Sequence, residues 1–302
     1  MYKDIKAAVV GSINMDFILK AEKLPEIHEN VLGSTYGYAN GGKGANQATA
    51  LARLGAQVKM IGKVADDDNG KSLIANLKAN NIDTTCVATD GSQTGLAAIL
   101  IDGEGRNRII VYEGANAEID PKKACEGITT DTELLLIQFE TREDVVIECV
   151  NKAIEMGITT VIDCGPAKSF SLERMQGATI LSPNESETKA LTGIYPDTDE
   201  NILKASEILM ERSRAKYIVL KLGERGCTVW DGETIKALPP YKTQVRDTTA
   251  AGDCFTGAMA LEYVRCGDIY KACELGNKAG AIAVSRVGAQ DSMPTIEELD
   301  NF

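Results

Sequence analysis

The sequence predicts an α/β fold whose mainly parallel sheet is covered by helices on both faces. Three observations lead there. Strand-length apolar runs alternate with longer stretches of helical period along most of the chain. The run Leu134-Leu135-Leu136-Ile137 is apolar throughout, as a strand buried on both faces must be. Several such runs end in glycine or polar residues, at the edge where open α/β sheets hold their ligands.

In order, residues 6–11 read as a central strand ending at Gly11. Ser12 to Asp16 follow as an extended turn, with Asn14 and Asp16 on one side. Residues 17–39 hold short β-type runs. With 95–100 and 107–112 they form a small sheet outside the main one. Gly41, Gly42 and Gly44 let backbone approach a ligand closely, and a helix follows with Ala45, Ala48 and Ala52 on one face. Next come a strand at 57–62 and a helix at 69–80, with Asp66, Asp67 and Asp68 solvated between them. Residues 114–116 return to the main body. The strand at 134–137 leads into Gln138, Phe139 and Glu140. A helix at 142–156 and a strand at 160–162 continue the alternation. Near residue 182 a further strand-to-helix junction sets Asn184 and Glu187 three apart, the spacing of a capping box. A strand at 216–220, a turn at 221–226 and a hairpin around Asp231-Gly232 follow. The last long helix runs over 269–284, residues 285–292 follow it to close the site, and there are no internal repeats.

Composition narrows the function. A chain of 302 residues with 44% apolar and 25% charged residues buries a sizeable core. Its net charge of −12 argues against a nucleic-acid partner, since phosphate backbones are held by Lys and Arg. No stretch is long enough to span a membrane. The eight cysteines have irregular spacing and no Cys-x-x-Cys, which suits free thiols in a reducing, cytoplasmic setting. His28 is the only histidine, so neither Ser-His-Asp chemistry nor a histidine zinc site is expected.

The chemistry concentrates in residues 247–258, Asp-Thr-Thr-Ala-Ala-Gly-Asp-Cys-Phe-Thr-Gly-Ala. Polar turn residues lead into Phe255, Ala258, Met259, Leu261 and Val264, which read as a capped helix with one buried face. Ala250, Ala251 and Gly252 leave the first-turn N–H groups unshielded, so this end is suited to phosphate. Asp253 on the same turn would repel a phosphate unless it takes a proton from the attacking group. It could equally serve the helix dipole, and on these residues alone the two readings stand level.

That stretch resembles the C-terminal signature of the ribokinase-like (PfkB) carbohydrate kinases. A second stretch, Asn40-Gly41-Gly42-Lys43-Gly44-Ala45-Asn46-Gln47-Ala48, resembles their N-terminal one. The likeness runs from Gly11 to about Pro294. It implies one three-layer α/β/α domain over 1–302, with a discontinuous β lid at about 17–39 and 95–113 that forms a homodimer interface. It implies a sugar held by Asn14, Asp16, Gly42, Lys43, Asn46, Glu140 and Asp253. ATP would meet Asn184, the turn Lys221-Leu222-Gly223-Glu224-Arg225-Gly226, Gly252 and Asn277. Magnesium would be organised through water by Glu187, and potassium by Asp247, Thr249, Ala283, Arg286, Gly288 and Ser292, mostly through carbonyls. Asp253 would be the general base, with the N–H groups of Ala250, Ala251 and Gly252 holding charge on the transferred group. The chain departs from the family pattern at Ala65, Cys164 and Gly165.

The expected activity is ATP-dependent phosphorylation of D-ribose at its primary hydroxyl. The rivals are a sister kinase for deoxyribose, a ketose or a nucleoside, and a non-catalytic sugar-binding regulator. Asp253 argues against the regulator, which needs no base.

Overall fold

The computed structural model describes residues 2–302. Strand β1 (Lys6–Val10) leads into β2 (Asn14–Ala21) and β3 (Gly33–Gly41). Helix α1 (Lys43–Arg53), β4 (Gln57–Ala65), α2 (Asp68–Ala79) and β5 (Asp83–Gly91) come next, then β6 (Gly95–Ile101) and β7 (Asn107–Tyr112). The chain continues through α3 (Pro121–Glu126), β8 (Leu134–Gln138), α4 (Glu143–Glu155), β9 (Thr159–Asp163), β10 (Ile180–Ser182), α5 (Glu185–Thr192) and α6 (Asp199–Ser213). It closes with β11 (Tyr217–Lys221), the hairpin β12 (Cys227–Trp230) and β13 (Ile235–Leu238), and helices α7 (Ala251–Cys266), α8 (Ile269–Val284) and α9 (Ile296–Asn301).

Nine strands form the main sheet in the order β13-β12-β11-β10-β9-β8-β1-β4-β5. It is parallel except at the hairpin. Alternation along β8 explains its unbroken apolar run. Leu134 and Leu136 enter the core under α1, α7 and α8, whereas Leu135 and Ile137 enter the opposite core under α4. The expected three layers are therefore present.

The small sheet has the order β3-β2-β6-β7. It runs wider than 17–39, because Asn14 and Asp16 already pair as strand residues with Gly41 and Ala39, whereas β6 and β7 fall within 95–113. They lie in β2, not in a turn. Their period-2 spacing still puts both on one face, and both are buried. The opposite face carries Phe17, Tyr36, Tyr38, Ile110 and Tyr112, and all but Phe17 are largely exposed.

Other expectations need correction. Asp67 is not simply solvated. It caps α2 through Gly70 N (2.7 Å) and accepts from Thr94 N and Oγ1 at 3.0 and 2.6 Å, tying α2 to the segment before β6. Helix α7 is buried on every side from Asp253 to Tyr263, not on one face, because α1, α8 and the sheet enclose it. No side chain caps it; the capping position is Ala250 in the left-handed region (φ 56°). The polar edge strand β5 and helices α3, α6 and α9 lie outside the expectations. For α6 a signal existed: Thr198 caps it, and Ile202, Ala205 and Leu209 bury one face.

Candidate active site

The carboxyl edge of the main sheet and the N-termini of α1 and α7 converge on Asp253. Its Oδ2 accepts from Asn46 Nδ2 at 2.9 Å. Its Oδ1 accepts from Gln47 Nε2 at 3.0 Å and from Lys43 Nζ at 3.3 Å. All three donors come from α1, whose entry is made possible by glycine. Gly42 sits at φ 88° with its missing Cβ against Ser12 O and Asn14 N (2.8 and 2.7 Å), and a Cβ on Gly44 would lie 2.7 Å from Gly11 Cα. Glu140 supplies the charge this helix start lacks: its Oε2 accepts from Lys43 N at 2.9 Å and from Ser12 Oγ.

Further amides fix the donors. Gln138 Nε2 donates to Gln47 Oε1 (2.6 Å), and Gln290 Nε2 donates to Asn46 Oδ1 (3.2 Å). Buried hydrogen-bonded networks of this kind hold a side chain in one rotamer. At the root of the small sheet Asn116 Nδ2 donates to Asn14 Oδ1 (2.7 Å), and its Oδ1 accepts from Ile13 N (2.9 Å). Gln47, Gln138, Gln290 and Asn116 were not expected. Gln47 was legible, lying inside the N-terminal signature; the others are distant in sequence.

Asp16 lies apart from these donors and is buried. Desolvation, then the charges of Glu140 and Asp253, push its carboxyl up to about 7. Across the cluster, Asp163 ends β9 fully buried and accepts from Lys221 Nζ at 2.6 Å and Thr256 Oγ1 at 3.0 Å. Burial would raise this carboxyl, but Lys221 and Lys43 outweigh it and hold it well below the usual carboxylate range.

At the start of α7 no side chain caps Ala250, Ala251 or Gly252, although Ala251 N donates to Thr248 O at 3.3 Å. A Cβ built on Gly252 meets no atom within 4 Å. The protein itself therefore has no packing reason for glycine here; the space is open to a ligand. Asn184 caps α5 in the expected capping box, and both Glu187 oxygens accept from it, at 2.7 Å from Asn184 N and 2.8 Å from Nδ2.

The fold's matching family model is that of pfkB family carbohydrate kinases, over residues 4–296. The chain belongs to this family. It is 36% identical over 297 residues to the ribokinase of Bacillus subtilis, spanning 97% of this chain and 98% of that one. It is 35% identical to a bifunctional ribokinase/ribose-5-phosphate isomerase A of Fructilactobacillus sanfranciscensis, covering 98% of this chain but 56% of that longer protein. An Arabidopsis thaliana ribokinase structure complexed with ribose and ATP superposes with a TM-score of 0.90 at 29% identity, over 100% of this chain and 98% of the other.

Against the family pattern, Asn14, Asp16, Gly42, Lys43, Asn46 and Glu140 gather near Asp253. The 221–226 turn is more divided. Leu222 is buried, Gly223 and Gly226 take positive φ, and Arg225 bonds Glu185 Oε1 (2.7 Å) and Pro196 O (2.6 Å). Lys221 points inward to Asp163. Asn277 lies beside this hairpin, with its amide donating to Leu238 O and Pro239 O at 3.2 and 3.1 Å. Asp247, Thr249 and Gly288 meet: Asp247 accepts from Thr249 N (2.9 Å) and Gly288 N (2.9 Å). Ala283 O, at the end of α8, accepts from Arg286 N (3.1 Å), and Ser292 Oγ donates to Ala289 O (2.7 Å). All eight cysteines are free, as expected. Among the described residues no helix is long and apolar enough to cross a membrane.

Proposed function

We propose that this chain transfers the terminal phosphoryl group of ATP to the primary hydroxyl of D-ribose, giving D-ribose 5-phosphate. The observation that carries the reading is the coincidence of three features on one turn: N–H groups that no side chain caps, an open berth at Gly252 and a carboxylate fixed at Asp253. The sugar's hydroxyl gives its proton to Asp253 as its oxygen bonds to phosphorus, and the bond from phosphorus to the ADP oxygen breaks. The N–H groups of Ala250, Ala251 and Gly252 stabilise charge on the transferred oxygens. Lys43, Asn46 and Gln47 keep the carboxylate aimed. Asn14 and Asp16 orient the sugar, and the small sheet excludes water.

Glu187 fits magnesium organised through water: it is an oxygen donor fixed by Asn184, and among the described residues no cluster of three or more metal-ligating side chains surrounds it. Magnesium held there would neutralise charge on the phosphates. The Asp247 carboxylate and the carbonyl end of α8, which Asp247 N meets at Val284 O (3.2 Å), would offer oxygen donors of the kind potassium takes. We propose also that the exposed outer face of the small sheet pairs with a second copy; a monomer in sedimentation at micromolar concentration would remove that.

An ADP-release assay across pentoses, deoxyribose, ketoses and nucleosides tests the reading. Ribose should give the highest kcat/KM, and potassium chloride but not lithium chloride should raise the rate saturably. A preference for another sugar overturns the substrate, equal rates in both salts overturn the potassium site, and no ADP with any sugar overturns the kinase.

The ionisation of Asp16 gives a separate result. Unliganded, its carboxyl holds a proton below about 7. Two sugar hydroxyls donating to it require the ionised form, so ribose affinity should rise as pH climbs toward about 7 and then level off. Asp16→Asn should flatten that profile, and Asp16→Ala should weaken ribose binding by roughly 1–3 kcal/mol. Stability without ligand has the opposite sign. The native state holds the proton more tightly than the unfolded chain between 3.8 and about 7, so this contribution is lost as pH rises through that window. A ribose KM untouched by Asp16→Ala removes the residue from the sugar site.

A further inference from the structure

Beneath the site lies a charged pair, Asp163 and Lys221, that the transfer chemistry above does not use. Asp163 is completely buried, and Lys221 nearly so. Lys43 is the shared element: its Nζ lies 3.3 Å from Asp253 Oδ1 and 3.6 Å from Asp163 Oδ1. Asp163 is held in turn by Lys221 Nζ (2.6 Å), Thr256 Oγ1 (3.0 Å) and Gly165 N (3.0 Å). Thr256 also reaches Gly252 O (2.9 Å), so the cluster grips the first turn of α7.

The berth for Lys43 is shaped by glycine. A Cβ on Gly165 would sit 2.7 Å from Lys43 Nζ and 2.7 Å from Glu187 Oε1, and closer still to Lys43 Cε. A larger residue at 165 would oblige the end of the Lys43 side chain to shift. Burying Lys221 and Asp163, with Lys43 half-buried beside them, is costly, and a buried ion pair is weak evidence for stability. What it secures is placement.

We propose that Asp163 and Lys221 are positioning residues that hold the Lys43 ammonium in place, and through it the Asp253 carboxylate. Resting on the kinase reading above, this assigns Lys221 to the sugar side of the site and not to the nucleotide. When Asp253 takes up a proton its attraction for Lys43 falls. Asp163 then retains the ammonium at the site, while Lys221 keeps Asp163 from turning.

Removing one partner alone would strand a buried charge and risk unfolding, so the test neutralises both. Asp163→Asn combined with Lys221→Met should melt as a folded protein. Its turnover should fall roughly 10- to 100-fold, as misplacement of about 1 Å can cost, and its ribose KM should rise. Calorimetric ATP affinity should stay unchanged. Turnover and ribose KM equal to the unmodified protein would overturn the proposal. So would lost ATP affinity with ribose KM intact, because Lys221 would then be a nucleotide ligand. If the double variant does not fold, Lys221→Arg serves: it keeps the charge but not the compact ammonium, and the same split between ribose and ATP is expected, or the proposal fails. The unmodified protein in the same assay separates the two readings. No sugar phosphorylation by it removes the reaction, whereas equal activity in both removes only the role of the pair.

Discussion

Asp253→Asn should lower kcat by about 10²–10⁴-fold, the usual cost of losing a positioned base, while ribose still binds. ATP should bind as well or more tightly, since a negative charge beside its phosphates is gone. The structure adds a qualification about stability. Asn46 Nδ2 and Gln47 Nε2 donate to different oxygens of Asp253, so the amide nitrogen of a replacement asparagine faces a donor in either orientation. At this buried position that mismatch costs about 1–3 kcal/mol. Melting temperature must therefore be read beside turnover, with ribose and ATP binding measured by calorimetry. His28, the sole histidine, sits on the loop between β2 and β3, outside the groups that contact Asp253. A folded Asp253→Asn protein with near-normal kcat would show that the carboxylate serves only the helix end.

Gly252→Val should separate binding from folding in the opposite way. The added side chain enters space that no protein atom occupies, so the melting temperature should hold. Valine is also no worse than glycine inside a helix. The same branch would stand where the phosphoryl group must approach the first-turn N–H groups. ATP affinity should drop and turnover fall on the order of 10²-fold, from displacement of the reacting group. Ribose binding should survive. If ATP binds Gly252→Val as it binds the unmodified protein, the open space at residue 252 is not the phosphate berth.

Much of this was legible in the sequence because two local patterns carry local consequences. The alternation of apolar runs gave the parallel sheet, since a strand buried on both faces leaves no polar option, as β8 shows. The Gly42-Lys43 and Gly252-Asp253 stretches each start a helix, so their chemistry is set by neighbours in the chain. What could not be read depends on contacts between residues far apart. Asp163 and Lys221 are 58 positions apart, and the spacing of neither reveals the other. Gln138 and Gln290 act on Asp253 only through Gln47 and Asn46. The full burial of α7 was hidden for a related reason: its small residues, Gly257, Ala258 and Ala260, look like a weak apolar stripe. They are small because α1 and α8 press against it. A Cβ on Gly257 would come within 2.8 Å of Ala50.

The small sheet grows directly out of the site. β2 begins at Asn14, four residues past the end of β1 at Val10, and Asn116 clasps Asn14 and Ile13 where the chain comes back from β7. Both roots of the cover thus meet at one buried amide. The residues proposed to read the sugar, Asn14 and Asp16, ride on the small sheet, while the proposed base, Asp253, stays with α7. On that proposal recognition and closure would be mechanically one event: a sugar that fails to satisfy Asp16 would give the small sheet nothing to hold, and a sheet displaced from Asp253 would carry its reader away with it.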